Sequence, residues 1–247
     1  MEVCVDNIQS AINAANGGAQ RLELCSALNE GGLTPSIGLL KTIKSIISLP
    51  VFVMLRPRSG YDFQISEIEL KIVLEDLNML KEAGADGFVF GALTANGFID
   101  KKVCSSVISS ATPLPVTFHR AFDVAVGDPI LMAQEIANLG FTRLLTSGRH
   151  SNAFEGINLI KRLVRETENK LIIVPGAGIN TKNLETILNE TLCYEFHGSA
   201  KSLKYIPTKC IDPENKLNEM YETNFNIVQA LCKIFMEYLN KTISKVS

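Results

Sequence analysis

The segment Pro115-Val116-Thr117-Phe118-His119-Arg120-Ala121-Phe122-Asp123 combines the features from which the fold is predicted. Its apolar start is typical of a short buried strand, and this strand ends at a histidine and an arginine, with an aspartate three residues further on. A helical pattern over residues 129–139 follows closely. In α/β enzymes, charged side chains between a strand and the next helix lie at the carboxyl end of the sheet, where the functional groups are found. The segment therefore predicts one strand–helix unit of an α/β fold, with chemistry at the end of its strand.

Seven further strand-like segments occur along the chain, and helical patterns separate them. The eight predicted strands cover residues 3–5, 21–25, 49–55, 87–90, 116–119, 143–146, 171–174 and 195–197. Regular alternation of this kind indicates parallel strands joined by helical crossovers. Eight units in 247 residues match the size of a single (β/α)8 TIM-type barrel. An open doubly wound sheet is the alternative, but no Gly-x-Gly-x-x-Gly turn follows the first strand.

Glycines between helices and strands support the barrel. A helix–glycine–strand junction recurs at Gly18, Gly84 and Gly140, in every second unit, as a quarter-barrel repeat predicts. We expect one domain over residues 1–247. It includes a polar, proline-containing, irregular segment at 201–222 and an amphipathic C-terminal helix at 224–241.

The composition excludes several classes of protein. A net charge of −2 and a pI near 6.0 argue against general binding to nucleic acid or to anionic membranes. The apolar runs are shorter than the ~20 residues of a membrane-spanning helix, and the acidic N-terminus does not resemble a secretory signal. The six cysteines have no CxxC spacing and indicate reduced thiols. We therefore expect a cytoplasmic protein, with a nuclear location left open and neither nucleic acid nor membrane as a partner.

Polar residues at the strand ends predict a functional mouth, because alternate strand residues point into a barrel and the active site lies at its carboxyl end. The residues that this alternation gathers are Glu23, Arg56, Arg58, His119, Asp123 and His197. In a catalytic mouth, Arg56 and Arg58 would hold a carboxylate or phosphate. His119 or Glu23 would then be the general acid or base. Near the strand starts, Glu2 and Arg21 are expected to form a buried salt bridge instead.

The loops after the seventh and eighth strands form a second signal. They contain Gly176, Gly178 and Ser199, small residues that expose backbone N–H groups where barrels commonly bind phosphate. With Arg58, these residues form the predicted anion-binding set. The alternative is that the glycines serve only to turn the chain tightly.

Two cysteines form a third signal. Cys4 and Cys25 lie on the first and second strands, which are neighbours if the barrel closes in sequence order. Thiolates, or a thiolate with a histidine, suit a soft ion such as Cu(I). The spacing alone is equally compatible with two packed, apolar thiols.

At these segments the chain resembles the CutC family, called copper homeostasis proteins. The matching segments are 2–5, 21–26, 30–36, 53–58, 84–91, 117–123, 145–148, 175–179 and 195–197, so the likeness covers about residues 1–200. It implies a single (β/α)8 barrel, a cytoplasmic setting and a role in copper binding or tolerance, and Cys4 and Cys25 match the family's copper-associated cysteines. Ala177 replaces a glycine common in the family, residues 59–63 differ from its usual Gly-Gly-Asp-Phe, and residues 201–222 look unlike it.

Three functions are compatible with these observations. The first is a cytosolic copper homeostasis protein that binds Cu(I) through Cys4 and Cys25. The second is a barrel enzyme acting on a small phosphorylated or carboxylated metabolite at the mouth, and the third is a structural scaffold in an oligomer. The resemblance supplies no reaction, so enzymatic activity stays open. We also expect a homo-oligomer and no organic cofactor.

Overall fold

A computed structural model of the chain describes residues 1–167, 170–206 and 219–243. The strands of the large sheet are β1 (Glu2–Val5), β2 (Arg21–Leu24), β3 (Val51–Met54), β4 (Gly87–Phe90), β5 (Val116–Phe118), β6 (Arg143–Thr146), β7 (Ile172–Pro175) and β8 (His197–Gly198), and a small sheet pairs β9 (Lys201–Tyr205) with β10 (Glu219–Thr223). The helices are α1 (Ile8–Asn16), α2 (Ile37–Ile46), α3 (Glu67–Glu82), α4 (Lys101–Ala111), α5 (Ala121–Val124), α6 (Pro129–Asn138), α7 (Ile157–Glu166), α8 (Leu184–Thr191) and α9 (Phe225–Ile243).

The eight strands form a nearly closed parallel barrel, which confirms the predicted (β/α)8 fold. Each strand from β1 to β7 pairs with the next, and β8 pairs with β1. In the part of the chain that the structure describes, β7 and β8 share no hydrogen-bond ladder. The register places Glu2 opposite Arg21 on one side and His197 on the other, and Cys4 opposite Glu23. The first two strands are therefore neighbours, as predicted from closure in sequence order.

Local sequence signals explain where the helices begin and end. Helix α3 starts at a capping box, in which the Ser66 hydroxyl accepts from the Glu69 amide and the Glu69 carboxylate accepts from the Ser66 amide. The predicted junction glycines Gly18, Gly84 and Gly140 follow α1, α3 and α6 with φ of 96°, 98° and 99°. Glycine adopts this left-handed conformation without a Cβ clash, so the chain can leave each helix directly for a strand.

The lumen of the barrel contains a charged layer at the amino ends of the strands. Arg21 donates to Glu2 at 2.5 Å and to Glu195 at 2.6 Å, and Arg143 donates to Glu195 at 3.0 Å. Both guanidinium groups lie over the Phe52 ring, 4.9 and 5.4 Å from its centroid. The salt bridge expected at Glu2 and Arg21 is present, and the layer closes the lumen below the mouth.

Some elements differ from the predictions. The short helix α5 was not predicted, and β8 has only two residues. In the segment expected to be irregular, β9 and β10 pair as antiparallel strands, with Lys204 bonded to Glu222 and Lys201 over the Tyr221 ring. Residues 207–218 of that segment, including Cys210, lie outside the described residues. Among the described helices, none is long and apolar enough to cross a membrane.

Candidate functional site

A cavity of about 440 Å³ opens at the carboxyl ends of the strands, at the mouth of the barrel. Seven of the residues predicted from the sequence line it, namely Cys4, Glu23, Arg56, His119, Gly178, His197 and Ser199. Four predicted residues are not in its lining, as far as the described part of the chain shows, namely Cys25, Arg58, Asp123 and Gly176. The rest of the lining is mainly apolar, with Leu28, Met54, Phe63, Leu145 and Ile179 among its members.

One side of the mouth holds a buried group able to bind a metal. The Cys4 sulfur, a Glu23 carboxylate oxygen and a His197 ring nitrogen lie within 4.8 Å of one another. The strand register produces this group, because Cys4 is opposite Glu23 and His197 enters from β8 on the other side of β1. A thiol, an imidazole and a carboxylate from three adjacent strands thus converge at one point.

His197 is oriented by Glu2, which lies deeper in the lumen. The His197 Nδ1 is 2.7 Å from Glu2 Oε1, and its Nε2 is 3.9 Å from Glu23 Oε2. Burial would raise the pKa of Glu2, but the hydrogen bond from His197 and the charge of Arg21 outweigh it and lower the pKa to about 2. An ionised Glu2 only accepts hydrogen bonds. Nδ1 therefore carries a proton, and Nε2 is the nitrogen that faces Glu23.

The ionisation of this group depends on its neighbours. Burial lowers the pKa of His197, but the charges that Cys4 and Glu23 carry when ionised, together with the bond to Glu2, raise it well above its ordinary value. Burial and the nearby charge of Glu2 raise the pKa of Glu23 to about 7, although His197 and Arg21 oppose this rise. The Glu23 Oε1 atom is buried and has no hydrogen-bond partner within the described residues.

Cys25 lies just beyond β2, in an apolar setting. It packs with Phe52, Met54 and Val89, and its thiol is 3.7 Å from the Val5 carbonyl oxygen. Burial, reinforced by the charge of Glu23, raises the pKa of the Cys25 thiol. Cys25 is not a member of the group formed by Cys4, Glu23 and His197. The predicted pairing of Cys4 with Cys25 at one metal stays a prediction.

A buried guanidinium also lies at the mouth, after β3, the strand next to β2. Arg56 is 6% exposed and donates to the carbonyl oxygens of Glu30, Gly32 and Gly60. Its guanidinium carbon lies 5.2 Å from the centroid of Phe63. Within the described residues, no carboxylate forms an ion pair with Arg56, although a buried charge normally has such a partner.

His119 lies beside Arg56 and is held in one tautomer. The Ala121 amide donates to its Nδ1 at 3.2 Å, so in the neutral ring the proton is on Nε2. Burial and, next, the positive charge of Arg56 lower the pKa of His119 to about 3. The Phe63 ring packs against the imidazole, with 4.9 Å between centroids. At neutral pH, His119 is therefore an uncharged hydrogen-bond donor.

Arg58 lies at the surface, whereas the side chain of Asp123 is buried between two loops. Arg58 donates to Asp62 and Glu69 at 2.7–2.9 Å, and its side chain is half-exposed. Asp123 accepts from the Thr146 and Ser147 hydroxyls, from two backbone amides and from Arg120 Nε at 2.8 Å. Asp123 thus ties together the loops that follow β5 and β6, and it orients Arg120 at the cavity.

The small residues after β7 and β8 differ in whether they line the cavity. The Gly176 amide donates to Thr146 at 2.9 Å, and a Cβ at this position would meet the Leu145 side chain. This glycine therefore serves close packing beneath the mouth. Gly178 and Ser199 line the cavity itself. Their role in anion binding stays a prediction.

Several lining residues were missed from the sequence. Phe63 and Lys201 face the cavity from a loop and from β9, and Glu2 proves to be the partner of His197. Phe63 ends the segment 59–63, which the family resemblance compares with Gly-Gly-Asp-Phe and which could have pointed to it, whereas Lys201 carries no such signal. The partnership of Glu2 was not accessible from the sequence, because the predicted eighth strand ends at His197, whereas in the structure β8 begins there and pairs it with Glu2.

Known proteins are similar to this chain in sequence and in fold. The model of the CutC family matches residues 1–202. The chain belongs to the CutC family. It is 51% identical over 204 residues to the human copper homeostasis protein cutC homolog, covering 83% of this chain and 74% of that one. A CutC family protein of Histophilus somni (strain 2336) is 41% identical over 243 residues, covering 96% of this chain and 99% of that one.

A solved structure of the family also matches. The copper homeostasis protein CutC from Streptococcus agalactiae superposes with a TM-score of 0.76 at 34% identity, covering 80% of this chain and 97% of that one. The resemblance noted over residues 1–200 is thus confirmed, and β10 and α9 lie beyond the matched family segment.

Proposed function

We propose that this CutC family chain is a copper homeostasis protein that binds Cu(I) at the barrel mouth. The observation that carries the proposal is the convergence of Cys4, His197 and Glu23 within 4.8 Å in a buried site. Thiolate and imidazole are ligands that suit Cu(I), whereas a carboxylate suits it less well. Cys4 and His197 would therefore be the primary ligands, with Glu23 beside them.

Glu2 supports His197 as a ligand. Metal-binding histidines generally donate their second ring N–H to a carboxylate, which fixes the orientation of the ring. The His197 Nδ1 bond to Glu2 has this form and leaves Nε2 towards Cys4 and Glu23. Copper would displace the proton from Nε2, so the affinity should fall as the pH is lowered.

Cys25 is the proposed second sulfur, as the sequence suggested. It follows β2 directly, two residues after Glu23, and its amide donates to the carbonyl oxygen of Val5 at the end of β1. Because burial raises the pKa of its thiol, a metal would have to displace that proton as well. We expect Cys25 to contribute less to affinity than Cys4.

Competition for Cu(I) against a chromogenic chelator under anaerobic conditions tests the site. Wild-type chain should take up Cu(I), Cys4→Ser should lose this uptake, and Cys25→Ser should weaken it. Glu2→Gln should cost about tenfold through the orientation of His197. Cys104→Ser is the matched control, since Cys104 is a buried thiol on α4 away from the mouth. Uptake by Cys4→Ser equal to that of the wild type would exclude this site.

A second function is favoured by a specific observation at the same mouth. We propose that the cavity also takes a small carboxylated or phosphorylated metabolite and that Glu23 acts on it as a general base. A buried carboxylate with one unpartnered oxygen and a pKa of about 7 is suited to that task. The environment of His119 favours hydrogen-bond donation over proton abstraction. Turnover of such a metabolite by the Glu23→Gln variant at the wild-type rate would contradict Glu23 as the general base.

The cellular setting is part of the proposal. The five described cysteines are unpaired, which fits the reducing cytoplasm. We propose copper and a small anion as partners, without nucleic acid or membrane. The expected homo-oligomer stays a prediction, which light scattering of the purified chain would measure.

A further inference from the structure

The Arg56 side of the mouth has hydrogen-bond donors that the fold does not use. A guanidinium has five N–H donors, and backbone carbonyls accept three from Arg56. Two donors therefore remain without an acceptor in the described residues. The three bonded carbonyls hold the guanidinium in place, so the remaining donors are already oriented.

His119 adds a third donor next to this guanidinium. Its Nδ1 is occupied by the Ala121 amide, and its Nε2 has no partner among the described residues. The side chain is only 5% exposed, yet it lines the cavity. An N–H that no protein acceptor uses is available to a ligand in the cavity. Two nine-tenths-buried side chains that line the cavity thus carry donors that the described residues leave unpaired.

The charges around Arg56 favour binding of a monoanion over a dianion. Arg56 is a single uncompensated positive charge, since His119 is neutral and Arg120 is paired with Asp123 at 2.8 Å. Lys201 is exposed at the outer rim. A monoanion would neutralise Arg56, whereas a buried dianion would leave one negative charge without a close partner.

The apolar side chains that line the cavity favour a ligand with an apolar body. Phe63 packs against both Arg56 and His119, and Met54, Leu145 and Ile179 continue the apolar lining. Phe63 is held at φ 50°, a conformation that non-glycine residues seldom adopt and that the fold must stabilise. An apolar ligand body would bury surface against these side chains.

We propose that the mouth binds a small organic monocarboxylate, whose carboxylate accepts hydrogen bonds from Arg56 and from the Nε2–H of His119 while its apolar body lies against Phe63. The inference rests on the second function proposed above, that the mouth takes a small anion. It is independent of copper, which would occupy the Cys4 side. A planar carboxylate matches the paired donors of a guanidinium.

Binding measured by calorimetry and thermal shift tests the proposal with a panel of monocarboxylates from acetate to benzoate. Phenyl phosphate and neutral benzamide serve as matched probes for the benzoate ring. Monocarboxylates with an apolar body should bind and raise Tm, and the two matched probes should not. His119→Phe should weaken carboxylate binding about tenfold, because one charge-assisted hydrogen bond is lost. His119→Gln, which can place an N–H near Nε2, should stay within about threefold of the wild type.

Arg56→Met should abolish binding, and if that variant fails to fold, the two His119 variants decide the question. Arg165→Met is the control, because Arg165 is exposed on α7 and pairs with Glu166. Binding of phenyl phosphate but of no carboxylate would overturn the ligand class while leaving the second function in place. Failure of every anion to bind would overturn both. Carboxylate binding that His119→Phe leaves unchanged would overturn the assigned donors.

Discussion

The two histidines of the mouth are placed in opposite electrostatic environments. His197 lies among groups that carry negative charge when ionised, Cys4, Glu23 and Glu2, which raise its pKa. His119 lies against Arg56 and accepts a backbone N–H, and its pKa falls to about 3. One ring is therefore suited to exchanging a proton for a metal, and the other to neutral hydrogen bonding.

The neutral state of His119 predicts a specific pH dependence of stability. Its folded pKa lies below the ordinary 6.5, so the unfolded chain binds this proton more readily than the folded chain. Stability from the neutral ring is complete above pH 6.5 and is lost as the pH falls towards 3, by about 1.4 kcal/mol per pH unit. Urea unfolding between pH 7 and 5 should show a shallower loss for His119→Gln than for the wild type. Equal slopes in the two proteins would contradict the buried neutral ring.

The sequence predicted where the two histidines lie but not how they are protonated. Both end a predicted strand, and strand alternation was enough to place them at one mouth. Their pKa values depend on contacts with Arg56 and with Glu2, which are distant along the chain. The same limit applies to Cys25, whose distance from the Cys4 group depends on side-chain packing inside the barrel.

At the scale of elements, strands with strong local patterns were predicted closely and weak ones were not. Strands β4 and β6 have the predicted bounds, because each follows a junction glycine, Gly84 or Gly140, within three residues and has buried apolar residues at its centre. The pairing of β9 with β10 was not predicted, since the two strands are separated along the chain and are largely exposed. Pairing of this kind depends on partners that a local pattern does not reveal.

The loop after β7 contains a strained residue that allows a direct test. Ala177 lies between Gly176 and Gly178, and its φ is 73°. A left-handed conformation costs a non-glycine residue about 1–2 kcal/mol, and glycine would remove this strain. Part of the gain is offset because glycine also increases the entropy of the unfolded chain. Ala177→Gly should therefore raise the free energy of unfolding by about 0.5–1 kcal/mol in urea titrations.

Ala230→Gly is the matched control, because Ala230 lies inside α9 and is half-buried. There the same substitution should destabilise the chain by about 1 kcal/mol. If Ala177→Gly also destabilised the chain, the backbone strain at this position would be smaller than the entropy that glycine adds to the unfolded chain.

At the scale of the whole molecule, the charged layer connects strands across the lumen. Glu195, which precedes β8, bonds to Arg21 on β2 and to Arg143 on β6. Glu2 shares Arg21 and also orients His197, so the layer continues into the floor of the mouth. Because β7 and β8 share no ladder in the described residues, these side chains supply part of the closure that backbone hydrogen bonds provide elsewhere.

Arg143→Met tests this closure, because methionine keeps an apolar stem near Phe52 and removes the charge. Glu195, 22% exposed, would keep Arg21 and lose one of its two guanidinium partners. We expect the free energy of unfolding to fall by about 2 kcal/mol, the scale of hydrogen bonds to a charged group, with the urea m-value unchanged. Lys161→Met removes the exposed ion pair with Glu190 and should cost less than about 0.5 kcal/mol. Equal, small losses in the two variants would show that the lumen network contributes no more than a surface pair. A larger loss in Arg143→Met would indicate that this interior layer, and not the outer helices alone, keeps β8 against the barrel.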